Sequence, residues 1–186
     1  MNKFTSQKII LKNEGSCIVR EAEERDAEKL LSFLKQIMRD DSFFILTPDD
    51  INQQNLTVEK EKEWVKKHQN DGCIAIIAEI NGNIAGLIHI ANIPQKRLRH
   101  VGVLAISILE SYRNIGLGSV LMKLALEWAK KNAMIEKVAL AVFDTNIGAM
   151  KLYRKFGFIE EGRKVKEIKF STDNYADSIL MYKFVK

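Results

Sequence analysis

Apolar residues recur along the chain with two different periods, and the switches between them mark the elements. Cys17 to Arg20 reads as a short strand, and from Asp26 onward Ala27, Leu30, Leu31, Leu34, Ile37 and Met38 recur at helical spacing, which predicts a first amphipathic helix. The polar stretch from Arg39 to Asn55 contains Pro48 and reads as a loop. Thr57 then stands where it can cap a second helix, with Glu59 and Glu61 in the first turn and Trp64 and Val65 as its buried contacts. Two apolar runs, 74–80 and 83–90, flank Asn81-Gly82 and predict a β-hairpin with a type I′ turn, because both turn positions need positive φ.

The second half repeats the alternation. A basic loop with Lys96, Arg97 and Arg99 leads into a strand from His100 to Leu109, whose near-continuous apolar composition predicts burial on both faces. Arg113-Asn114-Ile115-Gly116-Leu117-Gly118 follows and runs through Ser119 into a helix with Val120, Leu121, Leu124, Ala125 and Trp128 on one stripe. Residues 137–143 read as a strand and 146–156 as a helix stopped by Gly157, and strands are expected around 165–170 and 178–185. There are no repeats or low-complexity tracts, so one mixed α/β domain over residues 1–186 is expected.

Composition narrows the class. The 186 residues are 46% hydrophobic and 28% charged, with only 10 Gly and 2 Pro, which excludes collagen-like and disordered chains and leaves enough length for a real core. The net charge of +5 is uneven: residues 1–93 carry 12 Lys/Arg against 15 Asp/Glu, and residues 94–186 carry 17 against 9. The basic excess thus belongs to the second half, where it favours an anionic partner. Cys17 and Cys73 lie far apart in apolar runs without a CxxC motif, and both read as buried thiols in a reducing compartment. No run has signal-peptide or bilayer length, so a cytoplasmic location without a membrane partner is expected.

The candidate chemistry starts at the glycine pair. Gly116 and Gly118 allow a tight turn whose N–H groups point outward, and the helix behind them adds its own unsatisfied N–H groups and positive dipole end. Arg113 and the Ser119 hydroxyl can supplement this anion cradle. The loop lacks the third glycine of a dinucleotide fingerprint and the Gly-Lys-Ser/Thr ending of a P-loop.

Arg113-x-x-Gly116-x-Gly118 between strand and helix, followed by Asn146-x-x-Ala149-x-x-x-Tyr153-x-x-x-Gly157-Phe158, resembles the GNAT superfamily of N-acetyltransferases over about residues 100–161. The resemblance implies a mixed, mostly antiparallel central sheet, splayed at the cofactor site and flanked by helices on both faces. It implies acetyl-coenzyme A as cosubstrate, no metal, and pyrophosphate held by Arg113, Asn114, Ile115, Gly116, Leu117, Gly118 and Ser119. The pantetheine arm would lie between the strands at 100–109 and 137–143. The first of these would carry a bulge and offer backbone groups of Ile106 and Ile108, with an N–H near Ile106 as oxyanion donor. Asn146 would bond the pantetheine as well as cap its helix. Tyr153 would donate a proton to the departing thiolate, as a phenol with pKa near 10 is suited to do.

The sequence departs from the pattern at the general base. Many relatives place a Glu where Val103 stands, and there is no carboxylate between His100 and Leu109. His100 at the strand's start, His89 on the hairpin, or a water chain to Glu79 or Asp144 are the candidates, and an amine can also lose its proton to solvent. The resulting expectation is direct transfer of acetyl to a primary amine of a small molecule or peptide. An idle coenzyme-A-binding module is the alternative, separated by a turnover assay, whereas a nucleic-acid partner is not expected because no reader motif is present. An apolar edge on the C-terminal strands is a candidate for pairing with a second copy.

Overall fold

A computed structural model describes residues 4–12, 15–40, 43, 45–47, 50 and 56–186. Along it run β1 (Gln7–Ile10), β2 (Ser16–Glu21), α1 (Ala27–Asp40), α2 (Val58–His68), β3 (Ile74–Ile80), β4 (Asn83–Asn92), β5 (Val101–Ile108), α3 (Leu117–Lys131), β6 (Lys137–Phe143), α4 (Ile147–Lys155), β7 (Ile159–Ser171) and β8 (Asn174–Phe184). The loop expected over 39–55 lies largely outside the described residues, and its first two residues, Arg39 and Asp40, still belong to α1.

Local chemistry accounts for the boundaries. Thr57 caps α2, its hydroxyl accepting from Lys60 N–H at 3.3 Å. Asn81 and Gly82 take φ of 50° and 78°, as the two-residue turn between β3 and β4 demands. The eight strands form one sheet in the order β1-β2-β3-β4-β5-β6-β8-β7. Every neighbouring pair is antiparallel except β5 and β6, which run parallel through Val101, Gly102 and Val103 against Lys137, Val138 and Ala139. β1 was not expected from the sequence, and β7 begins six residues before the expected strand.

Strand alternation sends side chains to two cores. Ile76, Ile88, Ile90 and Leu104 pack in one cluster with Leu117, Leu121, Met122 and Ala125 of α3 and with Met150 and Tyr153 of α4. Ala75, Ile77 and Leu87 pack in the other with Leu30, Phe33 and Ile37 of α1 and Val65 of α2. Each fully buried Ile or Leu contributes about 2 kcal/mol relative to exposure, so each layer is held by its face of the sheet. The expectation that β5 is buried on both faces is corrected here: Gly102 and Leu104 are buried, but Val103 is 44% exposed and Ala105 is also exposed. Its composition is apolar on both sides, yet among the described residues no helix covers the side bearing Val103 and Ala105. Cys17 is buried as expected, whereas Cys73 is half-buried with its thiol donating to Asn92 Oδ1. Among the described residues, no helix is long and apolar enough to cross a membrane.

A half-buried ion-pair network ties the first helical layer to the sheet. Arg20 on β2 donates to both oxygens of Asp26 at 2.6 and 2.7 Å and to Glu79 on β3 at 3.1 Å, while Lys29 of α1 reaches Glu79 at 3.2 Å. Burial pushes the Asp26 and Glu79 carboxyls upward, but the hydrogen bonds from Arg20, and at Glu79 also from Lys29, outweigh it and hold both below the usual range. Asp26→Ala is expected to cost about 3 kcal/mol, because it leaves the Arg20 charge without its main partner in a half-buried site. Since both carboxyls have lower pKa values folded than unfolded, their stabilisation is complete above roughly pH 4.5 and is lost as pH falls through and below pH 4. Thermal melts across pH 2.5–7 test this: the wild type should lose Tm in that acid window and Asp26→Asn should lose much less.

Candidate active site

The central feature is a seam in the sheet. β5 stays paired with β4 without a break from Gly86–Ile108 to Asn92–Gly102, and β6 stays paired with β8 from Lys137–Phe184 to Phe143–Ser178. Between them the β5–β6 ladder ends after Val103–Ala139, so the two halves of the sheet part along the rest of both strands. The bulge expected in β5 is absent, because the register with β4 is continuous; the seam is opened by β6 leaving instead.

Backbone direction decides which groups line this seam. Leu109 N–H donates to Ala85 on the β4 side, and His100 C=O accepts from Glu136 and Lys137 on the β6 side. Alternation then turns the N–H and C=O groups of Ile106 and Ile108 away from β4 and into the opening. The Ile108 carbonyl is taken by Arg113, whose Nε donates to it at 3.1 Å. Arg113 is therefore folded against the end of β5.

The glycine loop sits at the same end of the seam. Gly116 precedes α3 with φ of 91°, a left-handed conformation that glycine adopts without strain, and Asn114 takes φ of 63°. Leu117 and Gly118 are the first two helical residues, so their N–H groups have no partner within the helix. A side chain at Gly118 would place its Cβ 3.2 Å from Ile108 and 3.3 Å from Leu152, so glycine lets the helix start lie tight between β5 and α4. Lys155 of α4 donates to the Ser119 hydroxyl at 3.2 Å. Lys12, in the turn after β1, bonds Ile115 C=O through its N–H and lays its side chain over Gly116. Lys12 and Lys155 add positive charge to the cradle, and neither was singled out from the sequence, since each reaches the loop from a distant segment.

Asn146 caps α4, its Oδ1 accepting from Ala149 N–H at 3.1 Å. Tyr153, two turns on, is 6% exposed, lies 6.0 Å ring to ring from Phe158, and shares its cluster with Leu104, Ile106 and Ile108 of β5 and Leu140 and Val142 of β6. Burial pushes its pKa up to about 12, so the phenol stays protonated throughout the physiological range. The structure brings Ile106, Ile108, Arg113 to Ser119, Asn146 and Tyr153 around one seam. It does not bring His100 there: this residue precedes β5 at the closed end, where its carbonyl bonds Glu136 and Lys137. Glu79 is held by Arg20 and Lys29, and Asp144 is held by Arg163 and by the N–H of Asp177. His89 stands on β4 directly across from Ala105, on the face that α1 and α2 pack against.

The cradle and seam fit a ligand that combines a pyrophosphate with a chain of amides. A profile of the Acetyltransferase (GNAT) family matches residues 31–158. L-amino acid N-acetyltransferase AaaT of Escherichia coli is 26% identical over 165 residues, 88% of this chain and 95% of that protein. An N-alpha-acetyltransferase of Sulfurisphaera tokodaii is 31% identical over 109 residues, which are 54% of this chain and 61% of its own length. Among solved structures, a GNAT-family acetyltransferase from Streptococcus pneumoniae matches with a TM-score of 0.85 and 35% identity over 91% of this chain and 99% of that one. The fold is also that of yncA from Salmonella typhimurium, solved with its cofactor acetyl-CoA, at a TM-score of 0.79 and 14% identity over 91% and 94% of the two chains. With the profile spanning more than half of its length, this chain belongs to the GNAT family of acetyltransferases and is an acetyl-CoA-dependent acyltransferase.

Proposed function

We propose that residues 1–186 act as one cytoplasmic domain that transfers acetyl from acetyl-CoA to a primary amine of a small molecule or peptide, by direct attack with both substrates bound. The observation that carries this reading is the alignment of the open β5 backbone with the start of α3, one offering amide partners and the other an anion site. The names of the relatives, one acting on L-amino acids and one an N-alpha-acetyltransferase, support the acceptor class.

In this reading the N–H groups of Gly116, Leu117 and Gly118, with Ser119, Lys12 and Lys155 around them, hold the pyrophosphate. Backbone groups of Ile106 and Ile108 and the Asn146 amide bond the pantetheine. When bound, acetyl-CoA supplies an activated thioester carbonyl. The Ile106 N–H stabilises negative charge as it grows on that carbonyl oxygen, and the Tyr153 hydroxyl gives its proton to the departing thiolate. Burial keeps this phenol in its protonated form at any working pH. A covalent acyl-cysteine route has no support: Cys17 is buried with its thiol pKa pushed up by that burial, and Cys73 bonds Asn92.

Thiol release with spermidine, the L-amino acids, kanamycin and a peptide with a free N-terminus tests the activity. Turnover with at least one is expected, and binding of acetyl-CoA without any turnover would favour an idle binding module. Tyr153→Phe should lower kcat about 10- to 100-fold with little change in acetyl-CoA affinity; a wild-type rate would remove the acid assignment. Gly118→Glu should weaken acetyl-CoA binding by at least about 100-fold, because it sets an unpaired carboxylate in the cradle. Undiminished binding in calorimetry would displace the pyrophosphate from this loop.

A further inference from the structure

Three aromatic residues meet on the face of the sheet that α1 and α2 pack against, one strand from the seam. His68 is the last residue of α2 and is buried, and its ring lies 3.9 Å from that of Trp64. His89 stands on β4 between Ala75 of β3 and Ala105 of β5, and packs edge-on against Trp64 at 5.3 Å and His68 at 4.9 Å. The two alanines leave room for an imidazole, and Ala105, the register partner of His89, is itself exposed.

The hydrogen bonds leave only one arrangement of protons for the neutral pair. His68 Nδ1 lies 2.8 Å from the Trp64 carbonyl oxygen, which can only accept, so Nδ1 carries the hydrogen. His68 Nε2 is then an acceptor. It lies 3.2 Å from His89 Nδ1, so His89 must donate through Nδ1 and keep a lone pair on Nε2. Every fully buried side-chain nitrogen and oxygen among the described residues has a partner, and His89 Nε2 has none among them, so that lone pair reaches solvent.

We propose that His89 is a catalytic residue, its Nε2 accepting the proton of the attacking amine, and that His68 is the positioning residue that fixes the tautomer. The role rests on the acetyltransferase reading above. The amine lone pair forms the C–N bond while the carbonyl pair moves to the oxygen held by Ile106 N–H. The nitrogen, now positively charged, passes a proton to His89 Nε2. Collapse expels the thiolate, which takes its proton from Tyr153. His89 then releases its proton to water and Tyr153 regains one from water, so the net products are an amide and a thiol.

The surroundings keep the pair in its neutral form. Burial lowers the pKa of both rings, that of His89 to about 4 with help from His68; at His68 the Trp64 carbonyl acts in the opposite direction and Lys67 adds to the lowering. The neighbours of His89 on β3 and β5 are the alanines, which bring no charge. So weak a base takes no proton from free ammonium, but it matches a nitrogen made acidic by C–N bond formation, and its lone pair is available at neutral pH.

The test has two arms on the full-length protein. Long-range 1H–15N NMR of the imidazoles at pH 7, without substrate, should show both His68 and His89 protonated at Nδ1 only. An Nε2–H tautomer or an imidazolium at His89 would overturn the proposal, and His68→Phe should shift His89 toward the Nε2–H form. In turnover with the fastest amine of the panel, His89→Gln should lower kcat about 100-fold with acetyl-CoA affinity unchanged, because glutamine accepts a hydrogen bond but takes no proton. His89→Gln turning over like the wild type would overturn the role while leaving the acetyltransferase reading intact. Absence of wild-type turnover with every amine would instead overturn that reading, and the catalytic role with it.

Discussion

The arrangement depends on β5 and β6 parting after three residue pairs. On either side the ladders run on, β4 with β5 and β6 with β8, so neither strand can turn to follow the other. A sheet interior normally leaves no backbone polar group unpaired. Here the N–H and C=O groups of Ile106 face an opening, and an extended ligand carrying amides can take the place of the missing strand, as peptides do at sheet edges. Arg113 caps the last carbonyl of the row, at Ile108, which marks where the strand-like part of the site ends and the anion cradle begins.

The two faces of the seam are unlike, and in the proposed mechanism that difference separates the substrates. On one face α3 and α4 close over β5 and β6 with a continuous apolar cluster that includes Tyr153, so the phenol is shielded and stays protonated. On the other face α1 and α2 pack on β3 and β4 but leave Val103 and Ala105 uncovered. An acceptor can approach from that side while the cofactor lies along the seam. The small residues at 75 and 105 are part of the same design, since they make space for His89 where a larger side chain would fill it.

Much of this was legible locally. The Asn81-Gly82 turn, the caps at Thr57 and Asn146, and the glycine loop each depend on residues within a few positions of one another, and each formed where its chemistry predicted. β1 and the first half of β7 left no periodic signal because they are edge strands exposed along most of their length; Glu160-Glu161-Gly162-Arg163-Lys164 has no apolar face to read. The apolar composition of β5 suggested two covered faces, since composition records what a strand tolerates and not which neighbours it has. Lys12 over Gly116, Lys155 on Ser119, and His68 against His89 arise from tertiary contacts between segments far apart in the chain. His100 looked suitable by residue type alone, and its place at the closed end of β5 is set by a pairing with β6 that no local pattern reveals.

The most direct measurement is an amide chemical-shift map of the full chain titrated with acetyl-CoA. The largest changes are expected on the N–H groups of Ile106, Ile108, Gly116, Leu117 and Gly118, a set that is discontinuous in sequence and continuous only along the seam. Changes concentrated elsewhere, such as on the basic loop at Lys96, Arg97 and Arg99 or along α2, with those five unmoved, would contradict this placement.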